Sequence, residues 1–204
     1  MGLLSSAVSI TRYRVEGKLE GPLLETMAKC LKKNMIPDVG DDISDKTVGW
    51  TSFDKPFNPN FESSSFVIGT HFVFSLRIDK KIVPSSVIKK HCDKEGARRL
   101  TETGRQYLSR DERRMIKEHV ISALTLRIPA KPNVYDLIWN YEESTLWFFS
   151  TLKSANEELE TLFFKSFQLP LFRLFPYTAA DLVMGLSDTQ RDILVKLSAT
   201  DFTE

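Results

Sequence analysis

The run KIVPSSVIKKHCDKEGARRLTETGRQYLSRDERRMIKEHVISALTL, residues 81–126, decides the fold class, because it reads as two helices set in the middle of a strand-rich chain. Pro84 is a natural entry for the first helix, which starts near Ser85 or Ser86, and Gly104 is a natural stop. Ser109-Arg110-Asp111-Glu112 announces the second. It is a capping box, in which the serine and the glutamate satisfy each other's backbone donors. This helix runs to about Leu126, and Pro129 and Pro132 break the pattern beyond it.

Outward from this pair, short runs of β-branched and aromatic residues read as strands. Upstream they are Ala7–Val15, a short strand around Trp50 and Phe53, and Phe66–Ile78, with Asp79-Lys80-Lys81 as a turn into Ile82-Val83. Leu23–Asn34 carries apolar residues at helical spacing and ends before Pro37. Downstream, Val134–Tyr141 and Thr145–Leu152 flank a polar turn and read as a hairpin. Ser154-Ala155-Asn156-Glu157 reads as a capping box opening a helix to about Phe167. Leu171–Phe175 suggests one more strand. Short helices follow near Thr178–Gly185 and from a capping box at Ser187–Gln190. Strands and helices mix without a regular βαβ alternation. The expected class is therefore α+β, with largely antiparallel sheets and a long helical pair in the middle.

The chain has 204 residues, 42% hydrophobic and 27% charged, with nine Gly and nine Pro. That excludes wholesale disorder and collagen-like repeats. Cys30 and Cys92 are too few for a disulfide framework, and no apolar run approaches the ~20 residues of a membrane helix. The net charge is only +1. Taken whole, this argues against a generic polycation, but the average hides an asymmetry. Arg77–Lys131 holds 15 basic and 7 acidic residues, a net of +8, which leaves the other 149 residues at −7. A chain so polarised can steer a polyanion to one face and stay soluble.

Placement sharpens the count. At about 100° per residue, Lys90, Lys94, Arg98 and Arg105 fall on one arc of the first helix. Arg110, Arg113, Arg114 and Lys117 share an arc of the second. Like charges at i,i+4 weaken an isolated helix, and in the second helix Asp111 and Glu112 sit in the first turn, where they favour the helix dipole, and do not interleave with the stripe as i+4 partners would. Two such stripes favour an anionic partner over an ordinary solvated face. A helix pair spanning on the order of 25 Å suits a nucleic-acid backbone better than a single phosphate. With Lys80, Lys81 and Lys89 leading into the pair, these residues form the candidate DNA-binding set. Few Asn or Gln residues lie among them, so contacts to phosphates are expected, with little reading of sequence.

Catalytic patterns are sparse. There is no GxxxxGK[ST] loop and no GxGxxG after a strand. His71, His91 and His119 form no HExxH, and no GxSxG elbow is present. His91 and Cys92 are adjacent, so on a helix they point about 100° apart and make a poor metal pair. His119 lies at the apolar edge of its helix and reads as a satisfied structural histidine. The one carboxylate cluster runs from Asp38 to Asp45. Asp41, Asp42 and Asp45 could serve a metal-dependent nuclease, against the plainer reading of a solvated loop. No cofactor and no enzymatic activity are expected. A third reading makes the basic helices a docking module for an acidic protein partner.

Val48-Gly49-Trp50 after an acidic loop, and then Lys81-Ile82-Val83-Pro84-Ser85-Ser86-Val87-Ile88-Lys89-Lys90, resemble the RdgC family of recombination-associated proteins. The most specific piece is Ile82–Lys90. The order of the helix at 109–126, the hairpin with Trp139 and the helix at 154–167 follows the same family to about Leu174. The resemblance implies one DNA-binding domain over 1–204, with 84–127 as its basic helical subregion. It implies a non-enzymatic protein that binds DNA with little sequence preference, duplex before single strand, as a homodimer or higher oligomer that can clamp the duplex. It further implies modulation of RecA recombinase through DNA, and a cytoplasmic, nucleoid-associated location away from membranes. Members of the family are longer, and 176–204 reads as a short helical ending, so a partial clamp or a different oligomer stays open.

Overall fold

Short β-branched and aromatic runs alternate between two environments, and the chain folds them into a sheet backed by helices. The computed structural model describes residues 2–37, 45–62 and 65–198. In chain order the elements are β1 (Thr11–Val15), α1 (Leu23–Lys33), β2 (Lys46–Thr51), β3 (Val67–Ile68), β4 (His71–Lys80), α2 (Ser85–Thr103) and α3 (Arg110–Thr125). There follow β5 (Lys131–Asn140), β6 (Thr145–Phe148), α4 (Lys153–Phe167), β7 (Leu171–Leu174), α5 (Pro176–Val183) and α6 (Asp188–Lys196). Among the described residues the strands form one sheet in the order β2-β4-β5-β6-β1-β7, with β3 paired to β4. The pairs β1–β6, β1–β7, β3–β4 and β5–β6 are antiparallel. The expected α+β class holds.

Several boundaries differ from the sequence reading, for local reasons. The run at Ala7–Val15 becomes strand only at Thr11. Thr11 pairs with Phe148, the last residue of β6, so residues before it have no ladder to join. The same register ends the Thr145–Leu152 run at Phe148. The Phe66–Ile78 run is interrupted at Gly69-Thr70, a two-residue turn between Ile68 and His71 in which Gly69 sits at φ +61°. Such turns favour glycine because a Cβ is disfavoured there. Asp79 and Lys80, expected in a turn, extend β4 instead. Asp79 accepts both arms of the Arg77 guanidinium two residues back on the same strand face, at 2.8 and 2.6 Å.

The box expected at Ser154–Glu157 does not form, because the helix starts two residues earlier, with Leu152 rather than Ser154 as its N-cap and no side-chain cap there. Asn156 turns its Nδ2 back onto the carbonyls of Leu152 (2.8 Å) and Ser150 (3.2 Å), so it holds the entry that Ser154 was expected to hold. The box at Ser187–Gln190 does form, whereas the preceding helix begins at Pro176 rather than Thr178.

The chain divides into two compact units. The first comprises 1–35, 50–76 and 135–204. Its core is aromatic: Trp50 stands edge-on to Phe74 at 5.2 Å, Trp139 to Phe163 at 5.1 Å, and Phe163 lies 4.7 Å from Phe167. Trp50 Nε1 donates to Ser166 Oγ at 2.8 Å, which keeps its polar edge satisfied inside the core. The hydroxyl of Tyr13, also fully buried, reaches Asn156 Oδ1 at 2.6 Å and Glu160 Oε1 at 2.8 Å. The second unit comprises 36–49 and 77–134 and contains the whole of the 84–127 subregion.

Candidate nucleic-acid interface

Helices α2 and α3 of the second unit carry most of the expected contact residues. α2 is 19 residues long and buries only Gly96. A Cβ at Gly96 would come within 3.2 Å of Leu108 Cδ1, so glycine permits the close approach of the turn that follows. Gly104, at φ +66°, ends α2 in the left-handed conformation that a side chain would resist. Ser109 then caps α3 as expected: its Oγ accepts from Glu112 N at 3.2 Å, and Glu112 Oε2 accepts from Ser109 N at 2.8 Å. These hydrogen bonds, with help from Arg105, hold the Glu112 carboxyl below the usual carboxylate range. Ile116 and Val120 are the apolar positions that α3 buries.

The stop at Gly104 corrects one part of the stripe. Arg105 lies beyond α2 and does not extend its basic arc; it reaches across the turn to Glu112 Oε1 at 3.2 Å. Asp111 and Glu112 aside, acidic residues of both helices do interleave with the basic stripes. Arg98 pairs with Glu95 and, at 3.5 Å, with Glu102, and Arg114 pairs with Glu118 at 2.9 Å. The hydrogen bond from Arg98 holds Glu95 below the usual carboxylate range as well. Three of the eleven candidates, Arg98, Arg105 and Arg114, are thus partly neutralised by neighbours. Lys81 is half-buried, and its backbone N donates to Asp45 O at 3.0 Å. The remaining seven, Lys80, Lys89, Lys90, Lys94, Arg110, Arg113 and Lys117, are exposed and have no carboxylate partner among the described residues.

The two stripes do not merge into one face. Two grooves flank the α2–α3 pair, and at about 100° per residue their α2 linings are centred about 180° apart. One groove, of about 410 Å³, brings Lys94 and Arg98 together with His91, Glu95, His119 and Arg127. The other, of about 530 Å³, brings Arg113 and Lys117 together with Tyr107, beside Asp93 of α2. His119 is therefore an exposed groove residue and not the satisfied core histidine that its apolar edge suggested. Arg127 lies past the end of α3, where no periodicity could flag it; only its membership in the +8 segment hinted at it. Tyr107 was missed because it belongs to neither helix.

Asp41 and Asp42 lie outside the described residues, and Asp45 is exposed. Among the described residues, no three His, Cys, Asp or Glu side chains gather where they could hold a metal ion. Among them too, no helix is long and apolar enough to cross a membrane.

A family model described as "Putative exonuclease, RdgC" covers residues 9–185, a span that includes both grooves and the sheet strands. No curated protein matches the chain.

Proposed function

The chain belongs to the RdgC family, and from that membership we propose that it is a non-enzymatic DNA-binding protein whose α2–α3 pair grips the phosphate backbone. The observation that carries this is the set of seven exposed cations without carboxylate partners, six of them, Lys89, Lys90, Lys94, Arg110, Arg113 and Lys117, on the helical pair. Cations so placed release counterions when they meet phosphates, and they position a protein without reading bases. Binding is expected to show little sequence preference, with duplex as the main target. By occupying DNA, the protein would restrain recombination by RecA recombinase without having to touch it, from a cytoplasmic, nucleoid-associated pool. Assembly into a homodimer or higher oligomer belongs to the same proposal. It is supported by the apolar side chains that α5, α6 and their ends leave in solvent, among them Met184, Ile193, Val195 and Leu197.

The test is a duplex-binding titration across salt. For wild type, log affinity should fall linearly with log salt, by about 0.9 per phosphate neutralised. Reversal of Lys94, Arg113 and Lys117 to Glu should lower affinity at least about tenfold and flatten that slope. Arg114→Gln should do much less, since Glu118 already engages that guanidinium. Equal loss from the paired and the unpaired positions would overturn the assignment. The proposal is for binding without strand cleavage. Incubating end-labelled DNA with Mg²⁺ or Mn²⁺ checks this, and shortened product would return attention to Asp41, Asp42 and Asp45.

A further inference from the structure

Tyr107 is 78% exposed in the turn between α2 and α3. Single exposed aromatics are ordinary, so exposure alone assigns nothing. Its setting is what matters, because the turn is pinned on both sides. Gly104 ends α2 in a fixed left-handed conformation, Arg105 is tied to Glu112, Leu108 sits against Gly96, and Ser109 is locked into the capping box. The ring is therefore presented by a short, held segment between two helix ends. It also lines the 530 Å³ groove, whose apolar lining includes Leu100 and the buried Ile116 and which also carries Arg113 and Lys117, neither with a carboxylate partner among the described residues.

An aromatic face next to unpaired cations in a groove with apolar lining matches what an unpaired nucleotide offers, a flat base joined to phosphates. Stacking on aromatic rings is how proteins hold single strands without reading their sequence. A duplex hides its base faces in the stack and offers only phosphates to the same groove. We propose that this groove is a single-strand subsite in which Tyr107 stacks on an unpaired base while Arg113 and Lys117 hold the adjacent phosphates. The inference rests on the DNA-binding function above and adds what the stripes alone do not supply, a means of sensing unpaired DNA.

The test uses the full chain and fluorescence anisotropy with three labelled probes of equal length: an oligothymidine, the same strand made abasic, and a duplex. Tyr107→Ala should weaken oligothymidine binding about 5- to 150-fold, the worth of one base–aromatic stack, while duplex binding changes less than about twofold. Wild type should prefer the oligothymidine to the abasic strand, and the variant should not. Tyr107→Trp should restore both the affinity and the preference. Unchanged oligothymidine binding by Tyr107→Ala, or equal loss on all three probes, would overturn the subsite and leave backbone binding standing. Failure of wild type to bind any probe would instead remove the DNA-binding function itself. Tighter binding of polyglutamate than of the oligothymidine would assign the groove to an acidic protein segment and overturn the inference as well.

Discussion

Helices α4 and α2 are of similar length and opposite character. α4 buries Ala155, Asn156, Leu159, Leu162, Phe163, Ser166 and Phe167 out of 15 residues, whereas α2 buries Gly96 out of 19. The first is held by what it covers. The second covers little, so its sequence is constrained mainly by its ends and its close approach to the following turn. A helix polar almost all round either bridges solvent or keeps its charges for something else. With the proposed function, this difference predicts that substitutions in the aromatic core should act on folding and that substitutions on α2 and α3 should act on ligand.

The sharpest way to break that division is Phe163→Ala. Phe163 is fully buried against Trp139 and Phe167. Its loss should cost about 3–5 kcal/mol in urea unfolding. Reversal of Arg113 to Glu should stay within about 0.5 kcal/mol, because it lies on the surface away from any partner. If the two variants unfold alike, the two units do not divide the work as described.

A smaller effect is expected from Tyr13→Phe, which keeps the ring and removes the hydroxyl. Burial first, and the hydrogen bond to Glu160 second, push the Tyr13 hydroxyl pKa upward, so it stays protonated as a donor. Its single proton serves Asn156 Oδ1 or Glu160 at any moment, and Asn156 is buried. Leaving that amide oxygen without its donor should cost about 1–3 kcal/mol in the same unfolding experiment. DNA affinity should not change. A drop in affinity without a drop in stability would mean that the core of the first unit acts on ligand after all.

The contrast also explains what could be read in advance. Signals that depend on neighbours in sequence were legible: the Ser109–Glu112 box, the stop at Gly104, and the hairpin that places Trp139 inward. Signals that depend on what approaches from elsewhere were not. Ser154-Ala155-Asn156-Glu157 has the composition of a capping box, but buried Asn156 bonds back to Ser150 and Leu152, so the helix begins earlier. The basic residues were countable, but the rotation of α2 against α3 is a tertiary feature that no periodicity records. That rotation sends Lys94 and Arg98 to one groove and Arg113 and Lys117 to the other. The ion pairs of Arg98 and Arg114 were within reach, since Glu95, Glu102 and Glu118 sit at helical spacing from them.

The smallest effect separates the two regions by pH. Glu95 and Glu112 are both held below the usual carboxylate range, and both lie in the second unit. A carboxylate whose pKa is lower folded than unfolded binds fewer protons in the native state at mildly acid pH. Its contribution is therefore fully present above the ordinary glutamate value, about 4.3, and is lost as pH falls through the lower native value. Protonation of Glu112 weakens its acceptance from Ser109 N and its attraction for Arg105, so the first turn of α3 should loosen on acidification before the aromatic core does. Amide protection, corrected for intrinsic exchange rates and followed from pH 7 down to 3, should fall first at 110–114 and later along α4. Glu112→Gln keeps an oxygen that can accept from Ser109 and removes the titration, so it should flatten the pH dependence at 110–114 without unwinding the helix. Loss of protection in α4 before α3, or a pH profile indifferent to Glu112→Gln, would show that the turn presenting Tyr107 is held by something other than this carboxylate.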